Sequence, residues 1–281
     1  MNIVEKGKSE YQVLSLGAGV QSSTLALMAE HGLIKPMPDF AVFADTQNEP
    51  DAVYKWLEFL KPKLSFPVVT VSKGNLGVDS MVVKTSRSGR KRLDLGIPLF
   101  TQFKARTIML SRQCTKHYKV MTVARAIREL LEFRTAPKNL RIIQWIGISR
   151  DEAHRMKSSR IKWIENRYPL IDMLMDRKEC LEWLASQGYP EPPKSACYFC
   201  PYNSNHKWQK MKTEDPDSFR KAVEWETAIN EKRLETDFLK SPVRIHPSLQ
   251  PLDQVEFVDL RQMTMFTGNN FGNECEGMCG V

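Results

Sequence analysis

Apolar and polar positions fall in blocks along the first 72 residues. Val13 and Leu14 form an apolar run that leads into Ser15-Leu16-Gly17-Ala18-Gly19-Val20-Gln21-Ser22-Ser23. Leu25, Ala26, Met28 and Ala29 then recur at helical spacing. The pattern predicts strand, glycine-containing turn and helix, with Gly32 closing the helix after His31. Phe40–Ala44 is apolar throughout, as a parallel strand covered on both faces is, and it ends at Asp45-Thr46-Gln47-Asn48-Glu49-Pro50. Pro50 starts a helix in which Val53, Trp56, Leu57 and Leu60 share a face, and Pro67–Val71 is a third strand. The order β-α-β-α-β predicts an α/β fold with a doubly wound, mostly parallel, Rossmann-like sheet.

The rhythm breaks over 73–112, where glycines and a basic run (Lys84, Arg87, Arg90, Lys91, Arg92) predict a long insertion, either a substrate-facing flap or a solvated excursion. It resumes with a helix near 117–132 and a strand at 142–146 that ends at Gly147-Ile148-Ser149-Arg150. A further helix spans Asp176 to Gln187, with Asp176 and Glu179 as a capping box, and another spans 216–233. The organisation expected is a lead-in over 1–10 and a nucleotide-binding α/β domain over 11–172, with its basic insertion at 73–112. A helical, cysteine-rich C-terminal region over 173–281 is expected to pack on that domain.

Composition narrows the class. The 281 residues are 42% hydrophobic and 26% charged, which suits a globular chain with a sizeable core. No apolar run approaches the roughly 20 residues of a membrane span, and MNIVEKGKSE has no secretory h-region, so the expected location is the cytoplasm with no membrane partner. In that reducing compartment six cysteines point to metal, Fe–S or catalytic roles before disulfides. The net charge of +8 favours nucleotide or polyanionic partners over acidic surfaces, with a solvated basic surface as the plain alternative.

The candidate chemistry gathers at the ends of predicted strands, where open α/β sheets bind ligands. The turn Ser15–Ser23 aims helix N-terminal N–H groups at one point, which suits a phosphate; Gly17 and Gly19 permit positive φ, and Ser22 and Ser23 can cap the helix or donate. It lacks the Gly-Lys-Ser/Thr of NTPase loops, and Ser22 stands where the dinucleotide pattern has its third glycine. Asp45, with Thr46 and Glu49, is placed to hold Mg²⁺ or a ribose hydroxyl, or else to cap the Pro50 helix. Arg150 and Arg155, with Arg160, suit phosphate or sulfate, or a surface ion-pair cluster.

The cysteines are a second locus. Cys197-x-x-Cys200 has the bite used by Fe–S and zinc sites, and Cys114 precedes a helix with Arg112, Lys116 and Lys119 near in sequence, a setting that stabilises a thiolate. With Cys275 or Cys279 these residues suit a [4Fe–4S] cluster; with His117 they equally suit a Cys₃His zinc site. Cys180 falls on an apolar helix face and reads as core. His31, His154, His206 and His246 read as surface or internally satisfied histidines.

In their shared order, Ser15-x-Gly17 with Ser22 and Ser23, Asp45-Thr46-x-x-Glu49, Gly147-Ile-Ser-Arg150 with Arg155, Tyr168-Pro169-Leu170, Gly188-Tyr189-Pro190 and Ser195-x-Cys197-x-x-Cys200 resemble the phosphoadenosine phosphosulfate (PAPS) reductase family. That family belongs to the PP-loop adenine nucleotide α-hydrolase superfamily. The resemblance runs over roughly residues 11–202. Leu16-Gly17-Ala18-Gly19-Val20-Gln21-Ser22 in place of the common Ser-Gly-Gly-x-Asp-Ser, and a tail with both Cys275 and Cys279, mark a divergent member near the phosphorothioation and sulfurtransferase branches.

The resemblance implies an adenine nucleotide, as ATP or as PAPS or adenylylsulfate, bound by Ser15, Gly17, Ala18, Gly19, Gln21, Ser22 and Ser23. Its ribose, phosphates and Mg²⁺ would lie near Asp45, Thr46, Glu49, Gly147, Arg150 and Arg155. It further implies a cluster in some branches, here on Cys114, Cys197, Cys200 and Cys275, and sulfur chemistry involving Cys275, Cys279 and Asp45. The expected function is therefore ATP-dependent sulfur transfer, with a nucleic acid as acceptor and a sulfur donor or thioredoxin-like reductant as partner. PAPS or adenylylsulfate reduction and a non-catalytic zinc-bearing binding module are the alternatives, and a homodimer is compatible with each.

Overall fold

The structure is a computed structural model, which describes residues 4–237 and 239–257. In chain order the first elements are β1 (Glu10–Ser15), α1 (Val20–Glu30), β2 (Phe40–Asp45), α2 (Asp51–Leu60) and β3 (Val68–Ser72). A stretch with α3 (Leu76–Asp79), β4 (Val83–Thr85), β5 (Lys91–Leu93), β6 (Phe100–Phe103) and β7 (Arg106–Met109) follows. Next come α4 (Met121–Leu130), entered through a π-helical turn at Thr115–Val120, then β8 (Arg141–Ile146) and β9 (Ile164–Arg167). The described chain closes with α5 (Pro169–Asp172), α6 (Arg177–Ser186), α7 (Asn205–Glu214), α8 (Pro216–Arg233) and β10 (Val243–Arg244).

The chain forms two compact units, one of residues 1–73 and 115–195 and the other of 74–114 and 196–275, of which the described residues end at 257. The expected divide fell at 172/173; in the structure α6 belongs to the first unit, and the 74–114 stretch belongs with the C-terminal one.

In the first unit five parallel strands form a sheet in the order β3-β2-β1-β8-β9, so the expected α/β doubly wound fold is present. Side chains alternate between its faces, as strand geometry requires. Leu14, Ala41, Phe43, Ile143 and Trp145 point to the face covered by α1, α2 and α6. Val13, Phe40, Val42, Ala44 and Ile142 point to the face covered by α4. Each fully buried Phe or Leu here contributes roughly 1.5–3 kcal/mol. Val20 to Ala29 of α1 are all buried, which explains the lack of a polar stripe in its sequence. The helix ends as expected: Gly32 has φ +72°, its N–H donates to Ala29 O and that of Leu33 to Met28 O. Cys180 is fully buried on α6, and burial pushes its thiol up to about 12, as a core cysteine requires.

The second unit is antiparallel. It holds the hairpin β4–β5 and the sheet β10-β6-β7. The expected insertion is thus built of short strands, and the basic run is the hairpin itself: Lys84 pairs with Asp94, and Arg87 and Arg90 are exposed at its tip. Trp225 of α8 stacks on Phe199 at 4.2 Å and donates to Gly77 O. Buried Glu226 accepts from the N–H groups of Ile245 and Leu252, while burial pushes its carboxyl above the usual range. No helix among the described residues is long and apolar enough to cross a membrane.

His246 is an internally satisfied histidine of this unit. Its ring nitrogens sit 2.8 Å from Ser248 Oγ and 2.9 Å from Asn205 Oδ1, and burial lowers its pKa from 6.5 to about 4. As pH falls from about 6.5 to about 4, the unfolded chain takes up a proton that the folded chain refuses, so stability falls over that window by at most about 3 kcal/mol. Thermal melts across this range are expected to show the decline, and His246→Gln to flatten it. An equal slope in the variant would exclude His246 as its source.

Candidate functional site at the strand-order reversal

The strand order reverses between β1 and β8: from β1 the chain adds β2 and β3 on one side, and only later β8 and β9 on the other. In such sheets the crevice beyond the carboxyl ends of the two central strands is where ligands bind. The loop after β1 leads into α1 there, and the loop after β8 begins at Gly147.

Gly147 touches the start of α1. A Cβ at 147 would stand 2.8 Å from Ser22 N and 3.0 Å from Ser22 Cα, so only glycine lets the two backbones meet. Gln21 completes the join. Its amide nitrogen lies 3.3 Å from both Ser149 Oγ and Glu152 Oε2, and its carbonyl accepts from Arg177 Nη1 at 3.2 Å. The N–H groups of Val20, Gln21 and Ser22 have no partner within α1, because a helix leaves its first turn of donors open. Together with the helix dipole they suit an anion.

The loop differs in detail from expectation. Its positive φ (+59°) falls on Ala18, whereas Gly19, the N-cap, is extended at φ −97°. Ser22 Oγ neither caps α1 nor faces outward; it accepts from Gly17 N–H at 3.1 Å and lies 3.3 Å from Gly19 O, bracing the turn. Ser23 Oγ accepts from Trp56 Nε1 at 2.8 Å, and Ser15 Oγ from Gln144 Nε2 at 2.6 Å. These hydroxyls support the loop, and the anion donors are backbone groups.

At the end of β2, Asp45 does not cap α2, whose N-cap is Pro50. Its carboxylate accepts from Gln47 N–H (2.7 Å) and from Tyr54 Oη (2.9 Å). Burial and the Asp45 charge push the Tyr54 phenol upward, so it stays a donor. Glu49 is buried. Its Oε1 lies 3.4 Å from Thr46 Oγ1 and from Lys119 Nζ, and its Oε2 has no hydrogen-bond partner. A buried carboxylate oxygen without a donor is costly unless a ligand supplies one. Lys119, expected near the Cys114 thiol, is the charge partner of this carboxylate.

Arg150 and Arg155 are engaged in ion pairs. Arg150 reaches Asp176 Oδ2 at 3.1 Å, and Arg155 pairs with Glu152, whose carboxyl is nonetheless raised by burial. Arg160 is exposed. Arg177, Lys119 and Tyr54 were not legible as site residues: each reaches its partner across a break in sequence that no spacing rule spans.

No protein-family model and no curated protein matches the chain. Among solved structures, the crystal structure of a phosphate complex of PAPS reductase from Candida auris is similar over 66% of this chain and 76% of that one, with 13% identity and a TM-score of 0.36.

The cysteine locus lies in the second unit. Cys114, Cys197 and Cys200 are half-buried. The Cys200 N–H donates to Cys197 O across the turn, and that of Asn203 to Cys200 O. The Arg112 guanidinium sits 5.1 Å from the Tyr202 ring centroid, which draws the segment bearing Cys114 alongside this turn. Next to it, Asn203 is buried with both side-chain amide atoms lacking partners. Among the described residues no group of three or more His, Cys, Asp and Glu is arranged to hold a metal. Cys275 and Cys279, assigned as ligand and sulfur carrier, lie outside the described residues.

Gly147→Ala is expected to push α1 away from the β8 loop at a cost of about 1–3 kcal/mol and to lower ATP affinity by calorimetry. Glu49→Gln is expected to weaken nucleotide binding about tenfold, as loss of a charged hydrogen bond does. Unchanged affinity in both variants would remove the strand-end crevice as the nucleotide site.

Proposed function

We infer that this chain is a PAPS reductase-like enzyme that binds ATP with Mg²⁺ at the crevice beyond β1 and β8 and transfers sulfur to a nucleic acid. The observation that carries the nucleotide part is the join of Gly147 to the N-terminus of α1 at the strand-order reversal. The open N–H groups of α1 suit the phosphates, and the Glu49 oxygen suits a hydroxyl or amine of the nucleoside. Asp45 stays available for Mg²⁺ in exchange for the Tyr54 hydrogen bond.

In this reading an acceptor oxygen attacks the α-phosphorus of ATP and pyrophosphate leaves. The terminal sulfur of a persulfide on Cys275 or Cys279 then attacks the activated carbon, and AMP leaves with the oxygen. The other tail cysteine attacks the resulting disulfide, releasing the thiolated product and leaving a Cys275–Cys279 disulfide. A persulfide donor reloads the sulfur, and a thioredoxin-like dithiol reduces the disulfide. Cys114, Cys197 and Cys200 are the thiols that would hold a [4Fe–4S] cluster, which would supply electrons where bound, and Cys275 would complete it only where it takes no part in this disulfide cycle.

Anaerobic purification with iron, zinc and acid-labile sulfide analysis tests the metal assignment: iron with sulfide is expected, and zinc alone overturns it. Pyrophosphate release from ATP is expected to depend on an RNA or DNA acceptor, and Cys279→Ser to abolish sulfur transfer while ATP still binds. Sulfite release from PAPS without ATP would replace this function with the reductase alternative.

A further inference from the structure

Outside the strand-end crevice, the first unit carries a groove of about 430 Å³ along α4, and no candidate residue named for the nucleotide lines it. Its walls are partly apolar, from Met121, Ile161 and Trp163, and its cations are Lys73, Arg125 and Arg128. Met121 is half exposed (50%), so its thioether is open to the groove. Trp163 is held edge-to-face against Phe133, with centroids 5.2 Å apart at 89°.

The two arginines are anchored. Arg125 Nη2 donates to Ser72 O at 3.2 Å, and Arg128 Nη2 to Arg134 O at 2.8 Å. Ser72 ends β3, whereas Arg134 lies past the C-terminal end of α4, so the two guanidinium groups are tied to different places. Anchoring lowers the entropy cost of using their remaining donors. A single phosphate needs cations converging on one point. Guanidinium groups drawn to different anchors, beside an indole and a thioether, fit successive phosphates whose bases stack on the apolar wall.

We propose that the α4 groove is a binding site for single-stranded nucleic acid, with one base accommodated against Trp163 and Met121 and the backbone phosphates on Lys73, Arg125 and Arg128. This deepens the reading of the chain as a nucleic-acid-modifying enzyme by giving the acceptor a place to dock, and it assigns the docking to α4 and not to the exposed hairpin 84–92.

The test is fluorescence anisotropy of a labelled single-stranded 12-mer (a length of about 12 nucleotides lies within reported site sizes) against the full chain, over a salt series. Arg125→Glu/Arg128→Glu, both at exposed positions, is expected to weaken binding about tenfold or more with an unchanged circular dichroism spectrum. Arg125→Ala/Arg128→Ala is expected to lower the salt slope by about 1.4, the value for two phosphate contacts on a single strand. Inorganic polyphosphate is expected to bind more weakly than the oligonucleotide because it has no bases. Loss of binding only in Arg87→Glu/Arg90→Glu, equal binding of polyphosphate, displacement by AMP or pyrophosphate at oligonucleotide concentrations, or no binding at all each overturn the proposal. ATP affinity is read separately: ATP binding without oligonucleotide binding defeats the groove alone, and the reverse defeats the nucleotide site alone.

Discussion

The structure of the first unit turns on one backbone contact, the approach of Gly147 to the first turn of α1. With no Cβ at 147, the end of β8 and the start of α1 share a space that a methyl group would fill. That contact sets where the helix N-terminus points. It also accounts for the polar groups recruited around it. Gln21 spans from Ser149 and Glu152 to Arg177, and Ser22 braces the turn from inside. These hydroxyls and amides bond to protein, so the donors left over belong to the backbone.

The same economy governs the charges. Glu49 is buried with Lys119 on one oxygen and nothing on the other, and Asp45 is held by Tyr54 and a backbone N–H. Arg150 and Arg155 are committed to acids on α6 and on their own turn. Along the α4 groove, Arg128 is fixed by a carbonyl and Arg125 by a carbonyl and a loose pair with exposed Glu129. Paired arginines thus shape the strand-end crevice, and anchored but exposed ones line the groove.

Much of the architecture was legible along the chain. Apolar blocks announced β1, β2, β3, β8 and the helices between them, as continuous runs where an element is covered on all sides and as a helical period where one face is open. Capping chemistry placed α6 and α8 to within a residue: Asp176 and Glu179 form the capping box, and Asp215 Oδ1 accepts from Ser218 N–H. The short strands β4 to β7 and β9 were not legible, since three or four residues are too few for a period to show. The helix α7 escaped because only Trp208 and Met211 of its ten residues are buried.

By itself the sequence determined the strands β1, β2, β3 and β8 and the longer helices of the first unit, that strand ends carry the polar residues, and that Cys180 belongs to the interior. Local rules suffice for these, because burial and capping act over a turn or two of chain. Only the tertiary structure decided that the positive φ of the loop falls on Ala18, that Ser15, Ser22 and Ser23 face protein, and that Lys119 serves Glu49. It also decided that the basic run forms a hairpin of the antiparallel unit. Each of these depends on which distant backbone comes within a few ångströms, and packing sets that distance where no pattern along the chain records it.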